Sequence, residues 1–160
     1  MEYELQASPR RTNDQINASV GLGTAYGTWT PTFTCATVGD LSFTYNLQLG
    51  WYVKLGEFVL ASFFINLIDF TYATASGDII FGGLPYNTGT VAIGYGPLEF
   101  QGITKANYTQ FVPFTATASS PTFRLRACGS GQGLVQVNIS DLPSGGSPRF
   151  HGQLFYSTIN

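Results

Sequence analysis

His151 is the only imidazole in the chain, so acid–base chemistry would have to start there. It sits in "RFHGQLFYST", a strand-like segment whose neighbours are polar rather than catalytic in type. Ser130 in "CGSGQG" has glycines on both sides, but the Gly-x-Ser-x-Gly elbow is absent and the segment joins two strands. The same loop has no Lys-Ser/Thr pair and no helix after it, so it is no phosphate cradle and reads as a hairpin turn. Glycan-cleaving enzymes use two carboxylates. Asp69 and Asp78 flank "FTYATASG", while Glu57 and Glu99 stand alone, and all four read as surface acids. Cys35 and Cys128 end the segments "TFTC" and "FRLRAC". Zinc would need more ligands than these and one histidine. With no secretion signal at the N-terminus, the pair reads as two small buried hydrophobes rather than a disulfide. The expectation is a protein without enzymatic activity, metal or cofactor.

Carbohydrate binding fits the side chains better. Aromatic faces stack on sugar rings, and amides and carboxylates hydrogen-bond their hydroxyls. "DFTYATASGD" carries Asp69, Tyr72 and Asp78, and "LPYNTGT" carries Tyr86 and Asn87. These five are the candidate glycan contacts.

The elements that must hold them are strands. Many short Thr/aromatic/β-branched runs are separated by Gly/Pro-rich turns, at spacings near ten residues, with no convincing helical stripe. "GTWTPTFTC" reads as one strand near an edge, because it contains Pro31. "LSFTYNLQ" and "WYVKL" read as two more. "EFVLASFFINLIDF" follows the turn at Gly56-Glu57. Phe123, Leu125 and Ala127 alternate with Arg124 and Arg126, and Phe150, Leu154 and Tyr156 with His151 and Gln153. Such strands have one core face and one wetter face. The pattern predicts an all-β, antiparallel, two-sheet sandwich of the jelly-roll kind. Residues 27–160 form it. Residues 1–26 show no sustained period and read as an extended N-terminal arm.

Composition bears on assembly. Charged residues are only 10% of the chain and aromatics 15%, against roughly 25% charged in ordinary soluble domains. The seven Lys and Arg are scattered and the net charge is -2, which excludes the dense basic footprint that nucleic acid requires. No apolar run approaches the roughly 18 residues of a membrane-spanning helix. The run from Phe58 to Ile65 is apolar on both faces of a strand. A sandwich covers only one of them, so the other needs a neighbour, and Phe58, Leu60, Phe63, Phe64 and Ile65 are the candidate oligomer interface.

Two ordered sets of residues carry a family likeness. The first is "GTWTPTF", with Gly27, Trp29, Thr30 and Pro31. The second is "Y-x-x-Q-x-G-x-Y-x-K-x-G", with Tyr45, Gln48, Gly50, Tyr52, Lys54 and Gly56. Together with "FGGLP" and the closing "FHGQLFYSTIN", they resemble the C-terminal domains of tailed-bacteriophage tail fibres and tailspikes. The resemblance implies a jelly-roll homotrimer on the virion surface, assembled in the bacterial host cytoplasm and not enzymatic. Two roles follow as expectations. The first is a capsid decoration (cement) protein whose arm grips the major capsid protein or another virion structural protein. Tyr3, Leu5, Arg10, Arg11 and Ile16 are its contact residues. The second is a tail fibre or tailspike module binding a host surface polysaccharide.

Overall fold

The computed structural model describes residues 23–159. The chain forms β1 (Thr24–Trp29), β2 (Thr32–Thr37), β3 (Ser42–Leu55), β4 (Phe58–Thr71), β5 (Ser76–Gly82), β6 (Gly94–Tyr95), β7 (Leu98–Gln101), β8 (Gln110–Phe114), β9 (Arg124–Cys128), β10 (Val135–Gln136) and β11 (Arg149–Ser157). A single 3-10 turn, Ile139–Asp141, is the only helical element among the described residues. All pairings are antiparallel, as the alternation predicts. The described residues form two sheets, but they are unequal. Nine strands run in the order β1-β3-β4-β11-β6-β8-β9-β10, with β7 also on β11, and β2 and β5 make the second sheet.

The longest strands of the large sheet form the β3–β4 hairpin, closed by a turn in which Gly56 adopts φ 57°. Val59, Ala61, Phe63, Ile65 and Leu67 all point inward and are completely buried. They meet a phenylalanine-rich core. Phe33 of β2 lies edge-on to Phe81 of β5 at 5.5 Å and stacks on Phe150 of β11 at 5.8 Å. Phe63 reaches Phe123 at 5.0 Å, and Phe123 stacks on Phe81 at 4.9 Å. Each such ring buried from water is worth roughly 1.5–3 kcal/mol.

The structure corrects the sequence reading in several places. β1 begins at Thr24, so Thr24, Ala25 and Tyr26, which the sequence assigns to the arm, are paired with Leu55, Lys54 and Val53. "GTWTPTFTC" is two strands in two sheets, because Thr30-Pro31 carries the chain across from β1 to β2. Conversely, β3 runs unbroken through Gly50 for 14 residues. Gly50 is a packing position. The Trp29 indole lies over it, so an added Cβ would come within 2.6 Å of the ring. Trp29 Nε1–H then donates to the carbonyls of Trp51 (3.2 Å) and Ser62 (3.1 Å). The other motif residues secure the same crossing. Gln48 Nε2 donates to Pro31 O at 2.9 Å, Phe33 N–H donates to the Tyr45 hydroxyl at 2.7 Å, and the Tyr52 ring covers Gly27. Cys35 is buried and Cys128 half-buried, and both are free thiols. Burial pushes the Cys35 thiol pKa up.

Asp40, in the turn before β3, organises the far end. Its carboxylate accepts the backbone N–H groups of Ala73, Thr74 and Ala75 and the Thr74 hydroxyl. These bonds favour the charged form and hold the carboxyl well below its usual range.

Two outcomes are expected. Gly50→Ala forces the Trp29 ring aside and should cost about 1–3 kcal/mol, read from urea-unfolding midpoints with Trp29 emission shifted. Asp40→Ala should lower the melting temperature at neutral pH. Because the folded-state pKa is depressed, the difference from wild type should persist above about pH 4, the unfolded carboxyl value, and shrink as pH falls further. A difference that grows towards low pH would contradict this assignment.

Candidate functional site

The five candidate glycan contacts do not converge. Tyr72 is half-buried, and its hydroxyl donates toward the carbonyls of Ile139 (3.0 Å) and Leu142 (2.8 Å). Asp78 on β5 is held by Arg124 Nη1 at 2.9 Å and by Asn138 Nδ2 at 3.2 Å, while Arg124 also reaches Gln136. Asp69 is exposed at the end of β4, with φ 54°. Tyr86 and Asn87 lie at the opposite end of the sandwich. The Tyr86 ring packs edge-on to Tyr52 at 5.5 Å with Lys54 Nζ 5.4 Å from its centroid, and its carbonyl accepts the Tyr156 hydroxyl. The Asn87 carbonyl accepts Thr158 Oγ1 at 2.7 Å. Along β4 the two ends are about 40 Å apart, at a rise of about 3.3 Å per residue.

The five candidate interface residues split between the faces of β4. Phe63 and Ile65 belong to the chain's own core. Phe58, Leu60 and Phe64 point outward, because side chains alternate along a strand. Phe64 is half-buried under His151, which stacks on it at 4.9 Å.

The outward face of the large sheet holds what the sequence reading missed. Residues directly opposite in an antiparallel ladder share a face. Register therefore lines up Tyr26 with Val53, Val53 with Leu60, Leu60 with Phe155, and Phe155 with Tyr95. This row crosses β1, β3, β4, β11 and β6. Its members are 85%, 47%, 39%, 51% and 70% exposed in that order. Leu55 and Phe58 pair in the row on one side, and Trp51 stands in the row on the other, all at least half exposed. Trp51, Val53 and Leu55 alternate with Gly50, Tyr52 and Lys54, so the sequence signal was present inside the family-like motif.

The face is graded. The row of Leu49, Phe64, His151 and Glu99 is charged at its β7 end. Arg149 Nη2 donates to Glu99 Oε1 at 2.6 Å, and His151 Nδ1 lies 3.5 Å from Glu99 Oε2. Arg149 is the main cause holding the Glu99 carboxyl below its ordinary range.

No family model matches the chain, and no curated protein matches it in sequence. Among solved structures, the Dettilon tailspike protein (gp208) shares its fold, with a TM-score of 0.59 at 15% identity. The match covers 83% of this chain and 24% of the tailspike chain, so the module corresponds to about a quarter of that protein. The chain thus has the antiparallel β fold of one part of a phage tailspike.

Asp78 is held in an intramolecular cluster, which predicts a structural phenotype. Asp78→Ala should lower thermal stability through the lost Arg124 and Asn138 contacts, and Arg124→Ala should lower it by a similar amount. A double variant no worse than either single one would show that the two act as a pair.

Proposed function

We propose that the chain is a non-enzymatic structural module of a phage virion, of the tail fibre or tailspike type, which works as a homotrimer. The exposed apolar row from Tyr26 to Tyr95 carries this reading. Large side chains left in water each forgo part of the roughly 1.5–3 kcal/mol that burial supplies. An exposed belt running across five strands is too large for the scattered apolar residues normal on a monomer. The β1–β3–β4 half of it, with Tyr26, Trp51, Val53, Leu55 and Leu60, is a sheet face suited to packing on another copy. The number three comes from the resemblance to jelly-roll trimers of tail fibres and tailspikes.

Between the two virion roles, the fold shared with a tailspike favours the tail-borne one. The head-decoration reading rests on an arm whose residues Tyr3, Leu5, Arg10, Arg11 and Ile16 lie outside the described residues. A host surface glycan remains the proposed ligand class of the assembled module, at a surface formed by more than the five dispersed residues.

Light scattering of the purified chain should give a mass near three times 17.3 kDa. Val53→Asp and Leu60→Asp should reduce that mass to one chain, or to a weak, concentration-dependent equilibrium. Ser62→Asp, in the more polar neighbouring row, should have a smaller effect. A wild-type mass of one chain at high micromolar concentration would overturn the self-association.

A further inference from the structure

The apolar row changes character halfway across. Phe58 and Phe155 stack at 5.6 Å with their planes 8° apart, forming a ridge. Beyond it, toward β6, the surface is concave. One cavity of about 320 Å³ is lined by Phe58, Ile93, Tyr95 and Phe155. A second, of about 400 Å³, adjoins it through Ser157 and includes Val91. Toward β1 the row is an open sheet face that ends on Tyr26, the most exposed large apolar side chain among the described residues. β1 is an edge strand of the large sheet, so Tyr26 stands at the rim. One belt thus has an exposed aromatic ring at one end and an apolar groove at the other.

Register sets the two ends at one level. Tyr26, Val53, Leu60, Phe155 and Tyr95 are successive cross-strand partners, so they lie at the same height along the strands. The row spans four strand spacings, about 19 Å. An axis parallel to the strands turns a copy without changing that height. Copies whose belts face such an axis meet at their rims, β1 of one against β6 of the next, and Tyr26 arrives level with Tyr95. A contact between two different patches is heterologous, and by rotation alone it closes into a ring. The area is sufficient. At about 200 Å² for a fully exposed large side chain, Tyr26, Trp51, Val53 and Leu55 offer about 500 Å² at their observed exposures, and Val91, Ile93, Tyr95 and Phe155 about the same. The sum, about 1,000 Å², reaches the size of a specific interface before any polar rim is counted. Pairing the β1–β3–β4 halves of two copies with each other would instead leave Ile93 and Tyr95 in water.

We propose that the occupant of the groove is a second copy of this chain, whose β1–β3 rim, with Tyr26 foremost, seats beside Ile93 and Tyr95. This rests on the self-association proposed above and adds that every chain uses two different surfaces, a rim and a groove, for its two neighbours. The Phe58–Phe155 ridge and Leu60, midway along the row, then lie nearest the axis.

Mixing two variants of the full chain tests it. Tyr26→Asp spoils the rim and Ile93→Asp the groove, both at exposed positions, so each should keep a cooperative thermal melt. Each variant alone should sediment at the mass of one chain. An equimolar mixture at high micromolar concentration should sediment at the mass of two chains and no more. In that mixture the intact groove of Tyr26→Asp still accepts the intact rim of Ile93→Asp, and every other contact is spoiled. Tyr95→Asp, a second groove variant, should behave as Ile93→Asp does. If Ile93→Asp and Tyr95→Asp keep the wild-type oligomer, or if the mixture stays at one chain, the rim-in-groove contact is overturned while self-association stands. A wild type of one chain would overturn both.

Discussion

β4 is apolar on both faces. Its inner row of Val59, Ala61, Phe63, Ile65 and Leu67 is sealed by the rings of the core. Its outer row is flanked by β3 and β11, whose own outward side chains are also apolar at the Phe58 end. A two-stranded second sheet can lie over only one side of a nine-stranded one. β5 is in turn bonded to the β9 side through Phe81 and Phe123, so the second layer extends past two strands, yet it too lies on the inner side of β4. The apolar surface that remains on this face lies outside the contact between the two layers.

The inner layer depends on a tight crossing. The chain leaves the large sheet after Trp29 and enters the small one at Thr32, with two residues between. A hinge that short would leave backbone groups unpaired in the interior, where each costs free energy. Side chains supply the partners. Gln48 takes the Pro31 carbonyl, Tyr45 takes the Phe33 N–H, and Trp29 binds across to β3 and β4. The residues that carry the resemblance to tail fibres and tailspikes are thus the ones that make this crossing possible. They report how the chain folds. They say little about what it binds, since the side-chain polar atoms of Trp29, Tyr45 and Gln48 are occupied within the fold.

This explains what the sequence could and could not disclose. The antiparallel all-β class was legible because alternation in Leu125–Ala127 or Phe150–Tyr156 is a local property. That Phe58–Ile65 is apolar on both sides was legible for the same reason. Its division into core and surface was not, since the direction of Phe63 depends on which face the small sheet covers. Of the Tyr26-to-Tyr95 row, only the β3 part was legible, in the alternation of Trp51, Val53 and Leu55. The whole row exists only once five strands are in register, and its members lie as far apart in sequence as Tyr26 and Phe155. The glycan candidates failed to converge for the complementary reason. "DFTYATASGD" and "LPYNTGT" are near in sequence, but β5 and residues 83–85 after it carry the chain from one end of the sandwich toward the other. Short loop spacing implied nearness that strand length undoes.

The gradient along the outer face gives any partner an orientation. At the Phe58 end the surface is apolar; at the β7 end Glu99 binds Arg149 and approaches His151. A copy packed on this face in the reverse direction would set its charged end against Val53 and Leu60 and strand charges on apolar surface, at a desolvation cost. A copy in the same direction buries apolar on apolar and leaves the Glu99 cluster at a rim in water, where exposed ion pairs add little affinity but still fix register. Copies related by a rotation axis parallel to the strands meet that condition, since such an axis keeps like ends together. For the proposed self-association, the grading of one sheet face thus favours cyclic assembly about an axis along β4 over an antiparallel pairing of copies.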